Sequence, residues 1–289
     1  MKRVILYVVP SAGMGGAETF LKQAARLHRE FTPAYAVLRD GPLVPLLQAS
    51  GAAVHVARTP PRLSRPWTVA AGIRWIASLA ATERAALIHS TMAYGSLFGG
   101  PAAAIAGLPH VWFQHGPVSG WQDWLAGRIP SKMVLVNSSH TAASQQRLSP
   151  RANLRTILLG VEARELPRDT GQSLQRELGV EFLAAMICRP QPQKGIELWL
   201  EALMKMREDG VPAGGLVVGG DPKAAYERTL IGLAVRLGVP LRWEAGCADP
   251  WALAAGCDAL VCASISPEGY GLTLAEANFY GVPAVAPAE

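Results

Sequence analysis

Short apolar runs of strand length alternate with amphipathic stretches of helix length along almost the whole chain. Residues 3–9 (RVILYVV), 34–38, 53–57, 86–89, 110–114 and 132–136 are β-branched or apolar, which predicts strands. Between them, helical segments are predicted near 17–29, 42–50, 67–82, 93–106 and 139–148. Around 160–175 the pattern gives way to a polar stretch, GVEARELPRDTGQS, read as a linker and the approach to a second domain. Strands resume at 183–188, 215–219, 240–244, 258–262 and 283–286, with helices at about 195–209, 222–237, 249–256 and 271–280. Strand–helix alternation implies right-handed βαβ units around parallel sheets. The expected fold is therefore α/β: two tandem Rossmann-like, doubly wound parallel-sheet domains, residues 1–162 and 163–289. Ligands of such folds collect at the carboxyl ends of the strands, and the natural place here is the cleft between the domains.

Length and composition agree with this plan. A chain of 289 residues suits two domains, each able to bury a core. Half the residues are hydrophobic and 17% are charged, which excludes a disordered or fibrous class. No apolar run reaches the roughly 18 residues of a membrane-spanning helix. The apolar N-terminus is short and reads as a first strand entering a Gly-rich turn rather than a leader peptide. Four cysteines, at 188, 247, 257 and 262, show no CxxC or Cys/His ligand spacing, so no metal role is expected. They read as buried small hydrophobes in a reducing compartment, which points to a cytoplasmic protein.

Charge changes the picture more. The net charge of +5 is unevenly spread: residues 1–160 hold 16 Lys and Arg against 5 Asp and Glu, or +11, and the remainder holds 11 against 17, or −6. The first half is thus suited to meet something anionic. Residues 58–75 interleave Arg58, Arg62, Arg65 and Arg74 with Trp67 and Trp75. Such a stretch can lie on an anionic bilayer; it is equally readable as a loop and a helix with its aromatic face in the core.

Three segments carry candidate chemistry. In residues 264–283 a strand delivers a loop holding Glu268, Gly269 and Gly271, and a helix begins near Leu272. Free backbone N–H groups at that helix start, with the positive end of its dipole, suit a phosphate. Glu276 lies in the same helix among apolar neighbours, and a carboxylate in that company needs a hydrogen-bond donor such as a sugar or ribose hydroxyl. An ordinary dipole-stabilising role for it explains the sequence equally well. From Cys188 onward, Arg189 and Lys194 flank a Pro/Gln/Gly loop at a strand end, where two cations can neutralise a diphosphate or stand as solvated surface charges. In residues 8–27, Gly13, Gly15 and Gly16 form a turn between strand and helix that departs from G-x-G-x-x-G, and no acidic residue ends the next strand, so dinucleotide binding is weakly supported.

Together these segments resemble the GT-B-fold retaining glycosyltransferases of group 1 (family 4). Gly15-Gly16-Ala17-Glu18 matches that family's N-terminal Gly-rich loop, Arg189 and Lys194-Gly195 its R-x4-KG element, and Glu268 and Glu276 its E-x7-E motif. The resemblance implies a hexosyltransferase with its donor site in the second domain. There Arg189 and Lys194 would hold the donor diphosphate, Glu276 the nucleotide ribose and Glu268 the hydroxyls of the transferred sugar. The backbone at Gly271, Leu272 and Thr273 would touch sugar or phosphate. In the first domain, Gly15 and Gly16 would approach the phosphates and His115 would face the reacting sugar.

The sequence departs from the family pattern where Cys188 replaces a Gly and Leu159-Gly160 replaces an Asn-Gly. The chain also stops soon after its last predicted strand, so the donor domain is expected to lack its closing stretch.

The expected reaction is metal-independent, since no D-x-D pair is present, and needs no cofactor. The partners implied are a UDP- or GDP-sugar donor and a glycan or lipid-linked acceptor, with peripheral membrane contact through 58–75 on the cytoplasmic face. Trp121 and Trp124, just past His115, could stack on an acceptor sugar or lie in the core. Three other readings stand beside this one: a sugar-nucleotide epimerase of similar fold, a non-catalytic nucleotide-sugar-binding fragment, and a nucleic-acid binder. The last is disfavoured because no aromatic platform accompanies the charge.

Overall fold

A computed structural model describes residues 3–13, 15–27, 30–118, 120–150, 152–247 and 249–287. The chain divides into two compact units, Met1–Gly160 and Val161–Glu289.

The first unit runs β1 (Arg3–Val9), α1 (Gly16–Leu27), β2 (Phe31–Val37), α2 (Leu43–Ala49), β3 (Ala53–Val56), α3 (Pro66–Thr82), β4 (Ala85–Thr91), α4 (Met92–Ala106), β5 (His110–Gln114), α5 (Trp121–Ala126), β6 (Met133–Val136), α6 (Ser139–Leu148) and β7 (Leu154–Thr156). Its seven-stranded parallel sheet has the order β3-β2-β1-β4-β5-β6-β7. Side chains alternate across β1: Leu6 and Val8 pack with Ile76 and Phe98 of α3 and α4, while Ile5, Tyr7 and Val9 pack with Leu21, Leu43 and Leu47 of α1 and α2. A strand covered on both faces reads as a continuous apolar run, which is why RVILYVV shows no clean alternation.

The second unit runs α7 (Asp169–Leu178), β8 (Phe182–Ile187), a 3-10 turn (Pro192–Lys194), α8 (Ile196–Glu208), β9 (Ala213–Val218), α9 (Ala225–Arg236), β10 (Leu241–Glu244), α10 (Trp251–Ala254), β11 (Ala259–Val261), α11 (Leu272–Tyr280) and β12 (Ala284–Val285). Its five parallel strands have the order β10-β9-β8-β11-β12. Leu174, Trp251 and Ala277 of α7, α10 and α11 fill one face, and Ile196, Leu200 and Leu230 of α8 and α9 the other. In each unit the strand order reverses once, between β1 and β4 and between β8 and β11, the place where ligands of such folds collect.

Several expectations need correction. The polar stretch at 160–175 is not all linker, because α7 begins at Asp169; the helix is mostly polar and buries Gly171 and Leu174, so its composition resembles a linker although one face packs on the core. Strand β7 has a half-buried Leu154 beside exposed Arg155 and Thr156, so it carries no hydrophobic signal. Strand β2 starts at Phe31 despite Pro33, which is tolerated because pairing with β3 begins only at Ala34. Of the four cysteines, all free thiols, only Cys257 is fully buried. Burial raises the Cys188 and Cys257 thiols to about 12, so both are protonated at neutral pH.

Candidate functional site

In the second unit, the loops that follow β8 and β11 are tied together before any side chain is considered. The Ile265 amide donates to the Gln193 carbonyl at 2.9 Å. Gly195 sits in the left-handed region at φ +64°, where a Cβ would stand 2.1 Å from the Ala263 carbonyl oxygen. Only glycine allows the two loops to come this close. Helix α8 then leaves directly from Gly195, so Lys194 is held at the top of the sheet on the last residue of the 3-10 turn.

Lys194 Nζ donates to Glu268 Oε1 at 2.5 Å, and Ser264 Oγ donates to the same oxygen at 2.5 Å. Burial opposes ionisation of Glu268, but the hydrogen bonds from Lys194 and Ser264 and the charge of Lys194 outweigh it and hold the carboxyl below its ordinary value. Glu268 therefore stands as a carboxylate at neutral pH, facing the Lys194 side chain. Arg189 lies exposed on the loop after β8 and makes no ion pair among the described residues.

Three residues beyond Glu268, Gly271 takes φ +72° and caps α11 without a side chain. The first intrahelical bonds come from Leu274 and Ala275 to the Gly271 carbonyl, at 2.9 and 3.1 Å. The amides of Leu272 and Thr273 precede them, as the first donors of any helix must. Glu276 follows just over one turn along α11. Its Oε2 accepts a 2.9 Å hydrogen bond from the indole Nε1 of Trp251, so the donor that this carboxylate demands comes in part from the protein. The second unit thus gathers Arg189, Lys194, Glu268, Gly271, Leu272, Thr273 and Glu276 around the β8–β11 reversal and α11. Ser264 and Trp251 belong to the same cluster and have no motif that would announce them.

In the first unit, Gly15 and Gly16 open α1 after β1. A Cβ at Gly16 would meet nothing within 4 Å, so the chain's own packing does not require glycine there. His115 follows β5, stacked on Phe113 at 4.0 Å between ring centroids and tilted against Phe20 at 5.4 Å. Both ring nitrogens are buried and have no hydrogen-bond partner, and burial lowers the imidazole to about 4. It is a neutral ring at physiological pH with one donor and one acceptor unspent. Trp121 and Trp124 are not core residues: they are 62% and 50% exposed, and the Arg128 guanidinium covers one face of Trp124 at 3.3 Å from the ring centroid.

The model of glycosyl transferases group 1 matches residues 175–288, and that of glycosyltransferase family 4 matches residues 14–165, which is more than half of the chain. The chain belongs to glycosyltransferase family 4. A search of curated proteins found no match. Among solved structures, this glycosyltransferase resembles Anabaena HepE, crystallised in complex with UDP-glucose, at 25% identity and a TM-score of 0.82, over 98% of this chain and 80% of that one. A glycosyltransferase from Rickettsia africae aligns with a TM-score of 0.78 at 20% identity, over 99% of this chain and 79% of that one. The sucrose-phosphate synthase of Thermosynechococcus elongatus aligns with a TM-score of 0.80 at 16% identity, over 99% and 81%. The last two likenesses show the shared GT-B fold alone.

Proposed function

We propose that this glycosyltransferase is a metal-independent, retaining hexosyltransferase that draws on a nucleoside diphosphate sugar and serves a glycan or lipid-linked acceptor. The observation that carries the reading is the Lys194–Glu268 pair, seated at the β8–β11 reversal beside the start of α11, which no side chain caps. As the anomeric bond breaks, charge grows on the departing diphosphate. Lys194, Arg189 and the amides of Leu272 and Thr273 offer preorganised positive charge at that point. This supplies from the protein what a divalent cation would otherwise provide. Glu268, ionised and anchored by Lys194 and Ser264, accepts hydrogen bonds from hydroxyls of the transferred sugar, and Glu276 accepts them from the ribose. In the first unit, the open space at Gly16 suits a phosphate and the unspent ring nitrogens of His115 suit a sugar hydroxyl. The UDP-glucose bound by HepE supports a uridine donor.

The decisive experiment is calorimetric titration with UDP, GDP, ADP and their hexose conjugates, with and without EDTA. Selective binding of one nucleotide, insensitive to EDTA, is the expected result. Binding that requires a divalent ion would overturn metal independence, and no binding at all would overturn the donor site.

Peripheral membrane contact through 58–75 belongs to the same proposal. Trp67 is 68% exposed, and Arg58, Arg62, Arg65 and Arg74 are exposed without an ion pair among the described residues, whereas Trp75 packs against the first unit's core. No helix among the described residues is long and apolar enough to cross a membrane. Binding to vesicles containing phosphatidylserine, weakened by salt and by Trp67→Ala, is the expected behaviour; equal binding to neutral vesicles would argue against it.

A further inference from the structure

Helix α11 carries two residues, Glu276 and Tyr280, one turn apart, and both are held from outside the helix by the same short stretch of chain. Trp251, on α10, is 3% exposed, stacks at a tilt on the Tyr280 ring at 5.1 Å between centroids, and donates its indole N–H to Glu276 Oε2 at 2.9 Å. Trp251 is itself located by Asp249, whose Oδ1 accepts its backbone N–H at 3.2 Å. Arg164 grips both oxygens of Asp249 and donates Nε–H to the Tyr280 hydroxyl at 3.4 Å, while that hydroxyl donates to the Glu162 carbonyl at 2.8 Å. A closed ring of contacts therefore joins residues 162–164, the turn before α10, α10 and α11.

From this ring we infer that Trp251 is a positioning residue for nucleotide binding, fixing the Glu276 carboxylate toward the ribose, with the Arg164–Asp249 clasp holding Trp251 in place. The inference rests on the reading that Glu276 accepts ribose hydroxyls. A glutamate has three rotatable bonds, and its last torsion is broad, so an unrestrained carboxylate must be ordered by its ligand. An indole donor on one oxygen removes that ordering cost beforehand and leaves acceptor capacity for hydroxyls. Burial alone does not demand such a bond. Trp199, equally buried on the other face of the same sheet, leaves its indole N–H without a partner.

The test is Trp251→Phe, which keeps an aromatic ring and removes the donor. It is read by calorimetry with whichever of UDP, GDP and ADP binds tightest and with its 2′,3′-dideoxy counterpart. The unaltered protein should prefer the ribonucleotide, and Glu276→Gln should abolish that preference. Trp251→Phe should lose about tenfold in ribonucleotide affinity while binding the dideoxynucleotide unchanged, and Arg164→Ala should move the same way by less. Trp199→Phe, with a comparable cavity, should alter neither.

Full ribose preference in Trp251→Phe would overturn the positioning role while leaving the ribose role of Glu276 intact. Unchanged preference in Glu276→Gln would overturn the ribose reading itself. Should Trp251→Phe fail to fold, the unaltered protein labelled with 15N-tryptophan decides the matter. A shift of the Trp251 indole resonance with the ribonucleotide, much smaller with the dideoxy form, supports the role. Equal shifts overturn it.

Discussion

At the scale of single residues, the proposed donor site is an arrangement of charges that satisfy one another before any ligand arrives. Lys194 neutralises Glu268, so removing either leaves a half-buried charge unmatched. Lys194→Ala should weaken nucleoside diphosphate binding by about tenfold or more, since a charge-assisted bond contributes roughly 1.5–3 kcal/mol. Glu268→Ala should leave nucleotide binding within about twofold and lower transfer by about 100-fold or more. Calorimetry and a transfer assay separate the two, and undiminished nucleotide affinity in Lys194→Ala would sink its phosphate role. The buried histidines set a pH dependence of a definite sign. Burial lowers His115 to about 4, and burial, partly offset by a backbone hydrogen bond at Pro130, lowers His110 to about 4. In the unfolded chain both titrate near 6.5, so between those values the unfolded state binds more protons and stability rises with pH. Chemical denaturation should therefore show stability falling from about pH 6.5 to about pH 4, by on the order of 1–3 kcal/mol per histidine. His110→Asn should flatten part of that slope.

At the scale of elements, the site depends on how closely two loops approach. The 3-10 turn after β8 and the loop after β11 meet backbone to backbone at Gly195 and Ala263, and no side chain can enter that contact. Gly195→Ala combines a left-handed φ with a Cβ 2.1 Å from a carbonyl oxygen. It should cost about 2–4 kcal/mol of stability and also weaken nucleotide binding, because the loops that separate carry Lys194 and Glu268. Thermal melts and titration together check this. A variant as stable as the parent would show that the loops adjust freely. Alternation and helix-length periodicity make most elements legible in the sequence, because each is half or fully covered by a core. The exceptions are instructive. Helix α7 buries two residues, β7 presents two of three side chains to water, and α5 is only six residues long with both tryptophans outward. Where burial is slight, the apolar pattern that reports it is slight too.

At the scale of the whole molecule, two units with separate cores make it possible to see which one takes the nucleotide. A ligand that binds only the native second unit should stabilise it by about 2.7 kcal/mol at 100 times Kd. Hydrogen exchange with and without UDP should show the largest protection within 188–196 and 264–276. Largest protection elsewhere would overturn the proposed donor site. The uneven charge, basic in the first 160 residues and acidic after, acts at this scale as well, since fields of one sign attract anionic partners over several ångströms rather than through single contacts.

What the sequence determined by itself was local in origin: the strand and helix periods, the two parallel α/β units, and the glycines and charged residues whose spacing marks strand ends and a helix start. Which of those residues meet was decided by tertiary structure. Lys194 and Glu268 are 74 positions apart, Arg164 and Asp249 are 85 apart, and Trp251 and Glu276 are 25 apart. Their pairing follows from β8 lying beside β11 and from α7, α10 and α11 sharing one face of the sheet. Periodicity records that a side chain is buried or exposed. It carries no record of its partner, because the hydrogen bond that orients Glu276 forms only once the strand order has brought α10 against α11.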